Sequence, residues 1–249
     1  MKSSQAHPIL GSDWFNPNAS LSVVPLFDQH RCVVIDDFLG DPTAMQTHAA
    51  KNLAYFRYDK DNYYPGVEID MGRAFALALE QYFVQKLRVH FQVRRNLGTA
   101  CRMAITTLAP EQLQPLQRLC HRDSEVLSDG MGIFAGVVNL FHQPELGGTS
   151  FYRPTRSLDE TRHFLNKTQQ NSNDSLSAEI GERPSYLTHS NPYFELMRSI
   201  PAKWNRAIFY EGTVFHAAHI THPKLLSQDP QIGRLCLNAF FKVKKSAMA

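Results

Sequence analysis

The chain has 249 residues and a formal net charge of +3, and its residues are 43% hydrophobic and 20% charged. This length allows one large domain that buries a core without covalent staples, and the composition is that of an ordinary globular protein. The basic residues form no stripe, and their only clusters are Arg94-Arg95 and Lys242/Lys244/Lys245. We therefore expect no nucleic-acid partner.

The cysteines and the N-terminus indicate a compartment. Four cysteines are dispersed along the chain without a C-x-x-C pair, which is typical of reduced thiols in a cytosolic protein. The N-terminus has no apolar signal segment, and no run approaches the roughly 18 apolar residues of a membrane span. We expect a cytoplasmic protein with no membrane association, and the sequence leaves the oligomeric state open.

The first hundred residues predict one strand and its supporting helices. Residues 1–20 are polar and rich in turn formers, which predicts a loose arm, and 31–39 reads as a buried strand. Asp41 and Pro42 then supply a helix cap and a proline at the first helical position, so a helix is predicted to about residue 52. Apolar residues spaced by three and four predict a longer helix over 69–90.

From about residue 100 the pattern changes to short apolar runs. We predict a short helix over 157–165, an exposed and mobile insertion over 167–185, and a helix over 193–199. The aromatic stretch 54–66 has no clean period and predicts a loop, either a lid over a substrate site or a plug between helix and sheet. Strands are predicted at 101–108, 133–141, from the Gly-Gly turn at 147, 205–210 and 234–243.

Helices first and short strands later, without β-α-β alternation, predict a mainly β fold with flanking helices, of the α+β kind. We expect one domain over 1–249. Residues 1–99 would form an N-terminal strand and supporting helices, and 100–249 a β core with an insertion near 157–200. Periodicity alone does not choose between a jelly roll and another sandwich.

A set of metal-binding side chains occurs in a specific order. His121 and Asp123 are two residues apart, so on an extended strand their side chains point the same way. His216 follows after a long gap, and Arg234 opens the last apolar run. Two imidazoles and one carboxylate hold a non-haem Fe(II) on one face and leave its other positions open.

This order resembles the 2-oxoglutarate/Fe(II)-dependent dioxygenase superfamily. Three stretches are similar to the prolyl-hydroxylase-like branch of this superfamily: "CVVIDDFL", "IFAGVVNLFHQPELGGTSFYRP" and "NRAIFYEGTVFHAAHI". Three short motifs resemble those of a bacterial group at the edge of that branch: "YPG", "GGTSFYR" and "GRLCLNAFF". The resemblance implies a double-stranded β-helix, a cupin-like jelly roll.

The resemblance also implies roles for residues. Iron would bind to His121, Asp123 and His216, and 2-oxoglutarate would chelate it beside O₂. Arg234 would grip the far carboxylate of 2-oxoglutarate, because a guanidinium meets a carboxylate with two hydrogen bonds and stays charged. Lys224 and Arg102 are the next candidates for that grip. Retention of Asp123 favours hydroxylation over halogenation, since halogenases of this superfamily lose the carboxylate.

Other polar residues remain open in the sequence. The run His216, His219, His222 would share one face only in a helix, and a zinc protease would need a nearby glutamate, so we choose His216 as the ligand and give His219 a supporting or surface position. Four polar residues are expected on neighbouring strands, and each either faces the pocket or has a purely structural role. They are Arg102, Asn139, His142 and Tyr152.

The predicted function is an Fe(II)- and 2-oxoglutarate-dependent oxygenase that hydroxylates an amino acid, a peptide side chain or a small metabolite. Two alternatives remain. One is a non-catalytic jelly-roll binding module, which would chelate 2-oxoglutarate without forming succinate. The other is a cupin-type metalloenzyme that does not use 2-oxoglutarate, which the absence of an H-x-H motif disfavours.

Overall fold

The computed structural model describes residues 14–59, 63–124 and 130–245. It contains four helices, α1 Pro42–Lys51, α2 Gly72–Tyr82, α3 Leu158–Gln170 and α4 Asn173–Ile180, within those ranges. The ten strands found there are β1 Ser20–Pro25, β2 Arg31–Asp36, β3 Gly66–Asp70, β4 Val93–Thr106, β5 Met131–Asn139, β6 Thr149–Pro154, β7 Phe194–Ile200, β8 Ala207–Glu211, β9 Phe215–Ala218 and β10 Arg234–Lys245.

The strands form two antiparallel sheets. The large sheet has the order β1-β2-β8-β5-β10-β4-β3, and the small sheet has the order β7-β6-β9. The backbone of His121 extends the small sheet by an isolated bridge to His216 on β9. From β4 onward the chain therefore crosses repeatedly between the sheets, and the spatial orders β8-β5-β10-β4 and β7-β6-β9-His121 are those of a jelly roll. The predicted mainly β fold with flanking helices is confirmed.

The helices cover the outer faces of the two sheets. Helix α2 packs Phe75 and Leu79 into the main core, against strands that include β4 and β10. The helix continues through a π turn and a 3₁₀ turn to Phe91, so the helix predicted over 69–90 is found, although residues 69 and 70 belong to β3. Within the described residues no helix is long and apolar enough to cross a membrane.

Helix α1 begins where the sequence predicts. The side chain of Asp41 accepts a hydrogen bond from the amide of Ala44 at 2.8 Å, and Pro42 occupies the first turn. This cap satisfies an amide that the helix itself leaves without a partner. The predicted loose arm is wrong from residue 14 onward, because Trp14 and Phe15 pack against the main core. Residues 1–13 lie outside the described ranges.

Two predictions in the region 157–200 are wrong. The helix predicted over 193–199 is strand β7, which pairs with β6 along its length. Its Glu, Leu and Met residues favour a helix, but the cross-strand partner supplies the backbone hydrogen bonds instead. The exposed insertion predicted over 167–185 contains helix α4, whose Leu176 and Ile180 are buried against the small sheet's aromatic residues.

Hydrogen bonds from the side chain of Arg118 connect the region of α4 to the rest of the jelly roll. Its side chain is 2% exposed and donates hydrogen bonds to the carbonyl and side-chain oxygens of Asn173, the hydroxyl of Ser177 and the carbonyl of Glu182, at 3.0–3.1 Å. All three partners lie on or next to α4, and Arg118 lies three residues before His121. The guanidinium therefore fixes the helical region beside the segment that carries His121.

Replacing Arg118 with Ala should lower the free energy of unfolding by about 2–4 kcal/mol, because several buried acceptors lose their donor. Urea unfolding of the two proteins measures this difference. The control is Arg162→Ala on α3, where an exposed ion pair with Asp159 is removed and a change within about 0.5 kcal/mol is expected. Equal unfolding energies for Arg118→Ala and wild type would show that apolar packing alone holds α4.

Candidate metal centre

A cavity of about 660 Å³ lies between the two sheets. Its volume falls within the range of about 300–1,000 Å³ found for small-molecule sites. Strands β4, β5 and β10 of the large sheet line one side, and β9 with the segment 119–124 lines the other. The interior of the jelly roll is therefore only partly filled by side chains, and the candidate residues are found in the part that stays open.

His121 and His216 are brought together by their backbones. The amide of each residue donates to the carbonyl of the other at 2.9 Å, which forms the bridge at the edge of the small sheet. Residues paired in this way carry their side chains on the same face. The ring centroids of the two imidazoles are accordingly 4.4 Å apart.

Asp123 is placed by a contact with a glycine. Its amide donates to the carbonyl of Gly212 at 2.8 Å, and the amide of Gly212 donates to the carbonyl of Ile133 on β5 at 2.8 Å. A Cβ on Gly212 would lie 3.0 Å from that carbonyl oxygen and 3.1 Å from the Cβ of Asp123. A residue without a side chain at 212 therefore lets the carboxylate segment approach the large sheet.

The three side chains present their ligand atoms to one another. One ligand atom from each of His121, Asp123 and His216 lies within 4.8 Å of the others. The Nε2 atoms of His121 and His216 are 3.7 and 3.6 Å from the two carboxylate oxygens of Asp123, too far for hydrogen bonds. The Oδ2 atom of Asp123 is buried and finds no hydrogen-bond partner among the described residues. A cation bound between these atoms would satisfy it, so the donor set fits a metal ion.

The protonation of His216 suits a metal ligand. Its Nδ1 lies 2.9 Å from the carbonyl of Val214, to which the ring N–H donates, and this leaves the lone pair on Nε2, which points toward Asp123. Burial disfavours the imidazolium and lowers the pKa of His216 to about 4, although Asp123 opposes the shift. His216 is therefore a neutral imidazole at pH 7.

Asp123 remains a carboxylate despite its burial. Burial raises the pKa of its carboxyl group, but the neighbouring imidazoles of His216 and His121 outweigh that effect, and the pKa lies below its ordinary value. At neutral pH the Asp123 carboxylate thus supplies a negative charge beside the neutral imidazole of His216. This is the ligand set that a divalent cation with open coordination positions requires.

Arg234 lies in the same cavity and is 4% exposed. Its guanidinium donates to the carbonyls of Leu146 and Gly148, at 3.0 and 3.2 Å, and to the hydroxyl of Thr106 at 3.2 Å. Within the described ranges no carboxylate lies at ion-pair distance from it. A buried cation without a counter-ion is costly, so this site favours an anion in the cavity.

The Gly-Gly turn is necessary for this arrangement. A Cβ on Gly148 would lie 1.9 Å from the carbonyl oxygen of Ile200, and a Cβ on Gly147 would lie 1.7 Å from that of His219. These close approaches let the turn place two carbonyl oxygens, those of Leu146 and Gly148, around the guanidinium of Arg234. The turn therefore fixes the direction of the side chain.

The other histidines of the run lie elsewhere. Strand β9 ends at Ala218, and the Nδ1 atom of His219 is 2.7 Å from the hydroxyl of Ser150. His222 contacts Thr221 by a hydrogen bond of 3.0 Å. The structure thus brings His216, and not His219 or His222, beside His121 and Asp123.

Of the four neighbouring residues that the sequence left open, one lines the cavity. Arg102 does so, whereas the hydroxyl of Tyr152 donates to the carbonyl of Leu187 and the ring of His142 stacks on Trp204 with centroids 4.0 Å apart. Asn139 contacts the carbonyl of Arg206 instead. Asn139, His142 and Tyr152 therefore make structural contacts outside the cavity.

Sequence reasoning did not single out two polar cavity residues, Tyr64 of the aromatic stretch 54–66 and Asn238. Tyr64 lines the cavity and its hydroxyl lies 2.9 Å from that of Thr106, next to Arg234; residues 60–62 of the aromatic stretch lie outside the described ranges. Asn238 also lines the cavity. The alternation of side chains along a strand could have found it, since residues 234 and 238 share a face of β10.

Several solved structures are similar to this chain at low sequence identity. HygX from Streptomyces hygroscopicus, with nickel and 2-oxoglutarate bound, is 12% identical with a TM-score of 0.47, covering 88% of this chain and 84% of HygX. The non-heme alpha-ketoglutarate-dependent epimerase SnoN from nogalamycin biosynthesis is 12% identical with a TM-score of 0.43, covering 84% and 77%. AviO1 from Streptomyces viridochromogenes is 10% identical with a TM-score of 0.42, covering 87% and 91%.

The sequence itself matches one family model. No curated protein matches the chain. The model for the family of unknown function DUF6445 matches residues 17–241, a range that holds nearly all the described strands and every residue of the candidate metal centre. The chain belongs to the DUF6445 family.

Proposed function

We propose that this protein is an Fe(II)- and 2-oxoglutarate-dependent oxygenase. His121, Asp123 and His216 hold the iron, and Arg234 binds the far carboxylate of 2-oxoglutarate. With O₂, this centre supplies the oxidation of a C–H bond coupled to the conversion of 2-oxoglutarate into succinate and CO₂. The substrate is an amino acid, a peptide side chain or a small metabolite, and hydroxylation is the expected outcome.

The observation that carries the proposal is one cavity that holds two complementary binding elements. One is the set of three ligand atoms within 4.8 Å, with a buried carboxylate oxygen that has no hydrogen-bond partner among the described residues. The other is the buried guanidinium of Arg234 without a carboxylate at ion-pair distance in the same part of the chain. A cation fits the first element and an anion the second, and 2-oxoglutarate bound to iron provides both.

The residues have distinct tasks in this arrangement. The two imidazoles and one carboxylate leave a net positive charge on a divalent ion and keep part of its coordination sphere open. Leu146, Gly148 and Thr106 hold the guanidinium of Arg234 in a fixed direction, which reduces the entropy lost when a carboxylate binds. The side chains of His216 and Asp123 are 6% and 8% exposed, so these two ligands are shielded from bulk water, whereas the side chain of His121 is 60% exposed and lies on the open side of the cavity.

Asp123→Ala should weaken iron binding and leave the fold intact, because it removes the anionic ligand while the β core keeps its packing. Elemental analysis of iron content, beside a thermal melting curve, measures both effects. The control is Asp159→Ala, an exposed acid on α3 that lies outside the cavity. Full iron retention in Asp123→Ala would remove this residue from the centre.

His216→Ala should abolish the weak visible charge-transfer band expected when Fe(II) and 2-oxoglutarate bind without oxygen, whereas His219→Ala should retain it. The reason is that His216 lies beside Asp123, while His219 contacts Ser150. Anaerobic titration followed by absorption spectroscopy gives the comparison. Loss of the band only in His219→Ala would reverse the assignment.

Arg234→Gln should weaken 2-oxoglutarate binding by at least about 2 kcal/mol, or roughly 30-fold, because a charge-assisted bidentate pair is lost. The 2-oxoglutarate affinity of Arg234→Lys should lie between those of wild type and Arg234→Gln, because an ammonium offers a point charge instead of two parallel hydrogen bonds. Iron affinity should hardly change. Calorimetric titration of 2-oxoglutarate into the Fe(II)-loaded proteins under argon measures the affinities.

The matched control for that titration is Arg153→Gln, which changes a partly exposed arginine on β6 that lies outside the cavity. Equal affinities in wild type and Arg234→Gln would mean that another cation binds the co-substrate. Lys224 is exposed and outside the cavity, so Arg102 would be the remaining candidate named by the sequence.

A further inference from the structure

Two arginines besides Arg234 line the cavity, Arg102 on the large sheet and Arg122 in the segment between the two iron-ligand candidates His121 and Asp123. Arg102 lies on β4, four residues before Thr106, and Thr106 is the register partner of Arg234. Four residues of a strand span about 13 Å. Arg102 and Thr106 point to the same side of β4, so the sheet presents two cations to one cavity at separate positions.

The guanidinium of Arg102 has donors that make no hydrogen bond to the described residues. Its NH1 group donates to Glu68 on β3 at 3.2 Å, and this is the one hydrogen bond of the Arg102 side chain in the part of the chain that the structure describes. The side chain of Glu68 is 10% exposed, whereas that of Arg102 is 42% exposed and lines the cavity. Glu68 therefore holds one edge of the guanidinium, and the Nε and NH2 donors are left for a ligand.

Asn238 adds a second polar group at the same position. It is the direct register partner of Arg102 across β4 and β10, so the two side chains lie on the same face about 5 Å apart at Cβ. Its side-chain amide also lines the cavity and makes no hydrogen bond to the described residues. An arginine fork beside an amide donor matches the planar oxygens of a carboxylate.

We propose that Arg102 and Asn238 form a subsite for a carboxylate group of the primary substrate. The proposal rests on the proposed function, since it assigns 2-oxoglutarate to Arg234 and the metal and leaves Arg102 for the second reactant. The substrate class is then a carboxylic acid, either a free small acid or the carboxylate of a peptide. Arg102 is a substrate-binding residue in this arrangement, and Glu68 positions it.

The test uses acids paired with their primary amides, which have nearly the same shape but no negative charge. The probes are phenylacetic and 3-phenylpropionic acids, the N-acetyl amino acids, and N-acetylated Gly-Gly-Phe with a free or amidated C-terminus. Each probe is titrated calorimetrically into the metal-free protein and into the protein loaded with Zn(II) and 2-oxoglutarate. The proteins are wild type, Arg102→Gln, Arg102→Lys, Asn238→Ala and the control Arg95→Gln, an exposed arginine on the same strand.

The expected result is that at least one acid binds wild type at least about tenfold more tightly than its amide, as expected for a charge-assisted hydrogen bond. Arg102→Gln should abolish this preference, Arg102→Lys should restore part of it, and Asn238→Ala should reduce it. Arg95→Gln should leave it unchanged. Preference for the small acids identifies a free acid as the substrate class, and preference confined to the peptide identifies a peptide carboxylate.

Three results would overturn the subsite. The first is that no acid binds more tightly than its amide, and the second is that the preference of the protein loaded with Zn(II) and 2-oxoglutarate, in which Arg234 is occupied, survives Arg102→Gln in a protein with a normal melting curve. The third is that Arg102→Gln weakens 2-oxoglutarate binding as much as Arg234→Gln does. The last result would assign the co-substrate to Arg102. Failure of 2-oxoglutarate to bind wild type would instead overturn the proposed function, while the titrations of metal-free protein would still report on Arg102.

Discussion

Two backbone hydrogen bonds, from the amide of His121 to the carbonyl of His216 and back, hold the candidate centre together. They join the segment of His121 to the edge of the small sheet. Because the bonds are made by the backbone, they set the position of both imidazoles before any ligand binds. Asp123 follows two residues later and is fixed in turn by Gly212, so the donor set is preorganised by the sheet instead of by side-chain packing.

The interior of the jelly roll contains charges that the protein does not neutralise by itself. Oδ2 of Asp123 is buried without a hydrogen-bond partner, and Arg234 is buried with neutral acceptors, within the residues that the structure describes. Such groups cost stability in the free protein. Any ligand that binds only the folded state recovers part of this cost, because binding shifts the folding equilibrium by mass action. Buried charged groups without a counter-charge are expected at a binding site more than in a structural core.

The two faces of the large sheet carry different kinds of side chains. One face packs against α1 and α2 and forms the main apolar core, with Phe75, Phe83 and Phe241 among its buried residues. The opposite face of β4 and β10 carries polar residues into the cavity. Alternation along the strands allows both, since Leu235 and Leu237 point to the core while Arg234 and Asn238 point to the cavity. A one-residue slip of register would exchange the two sets, so the apolar core also fixes the orientation of the polar residues.

Helices α3 and α4 close the small sheet on its other side. Their apolar residues, including Phe164 and Ile180, pack with Phe194 and Phe215 of the sheet. Arg118 adds a polar connection from the segment that leads to His121. The region that looks like a hydrophilic insertion in the sequence is therefore part of the support of strand β9, which carries His216.

The sequence by itself determined what depends on neighbours along the chain. It predicted the start of α1, because Asp41 and Pro42 act within a single turn, and the pairing of His121 with Asp123 on one face, because strand parity is local. The sequence also predicted a site from the order of the histidines, the aspartate and Arg234, and these four residues line one cavity of the structure. Only the tertiary structure decided whether 193–199 formed a helix or a strand, because the residues of β7 gain their hydrogen bonds from β6, at least 40 positions away. It alone placed Asn238 opposite Arg102 and Tyr64 beside Thr106, since pairing register and cavity shape arise from contacts between segments far apart in the chain.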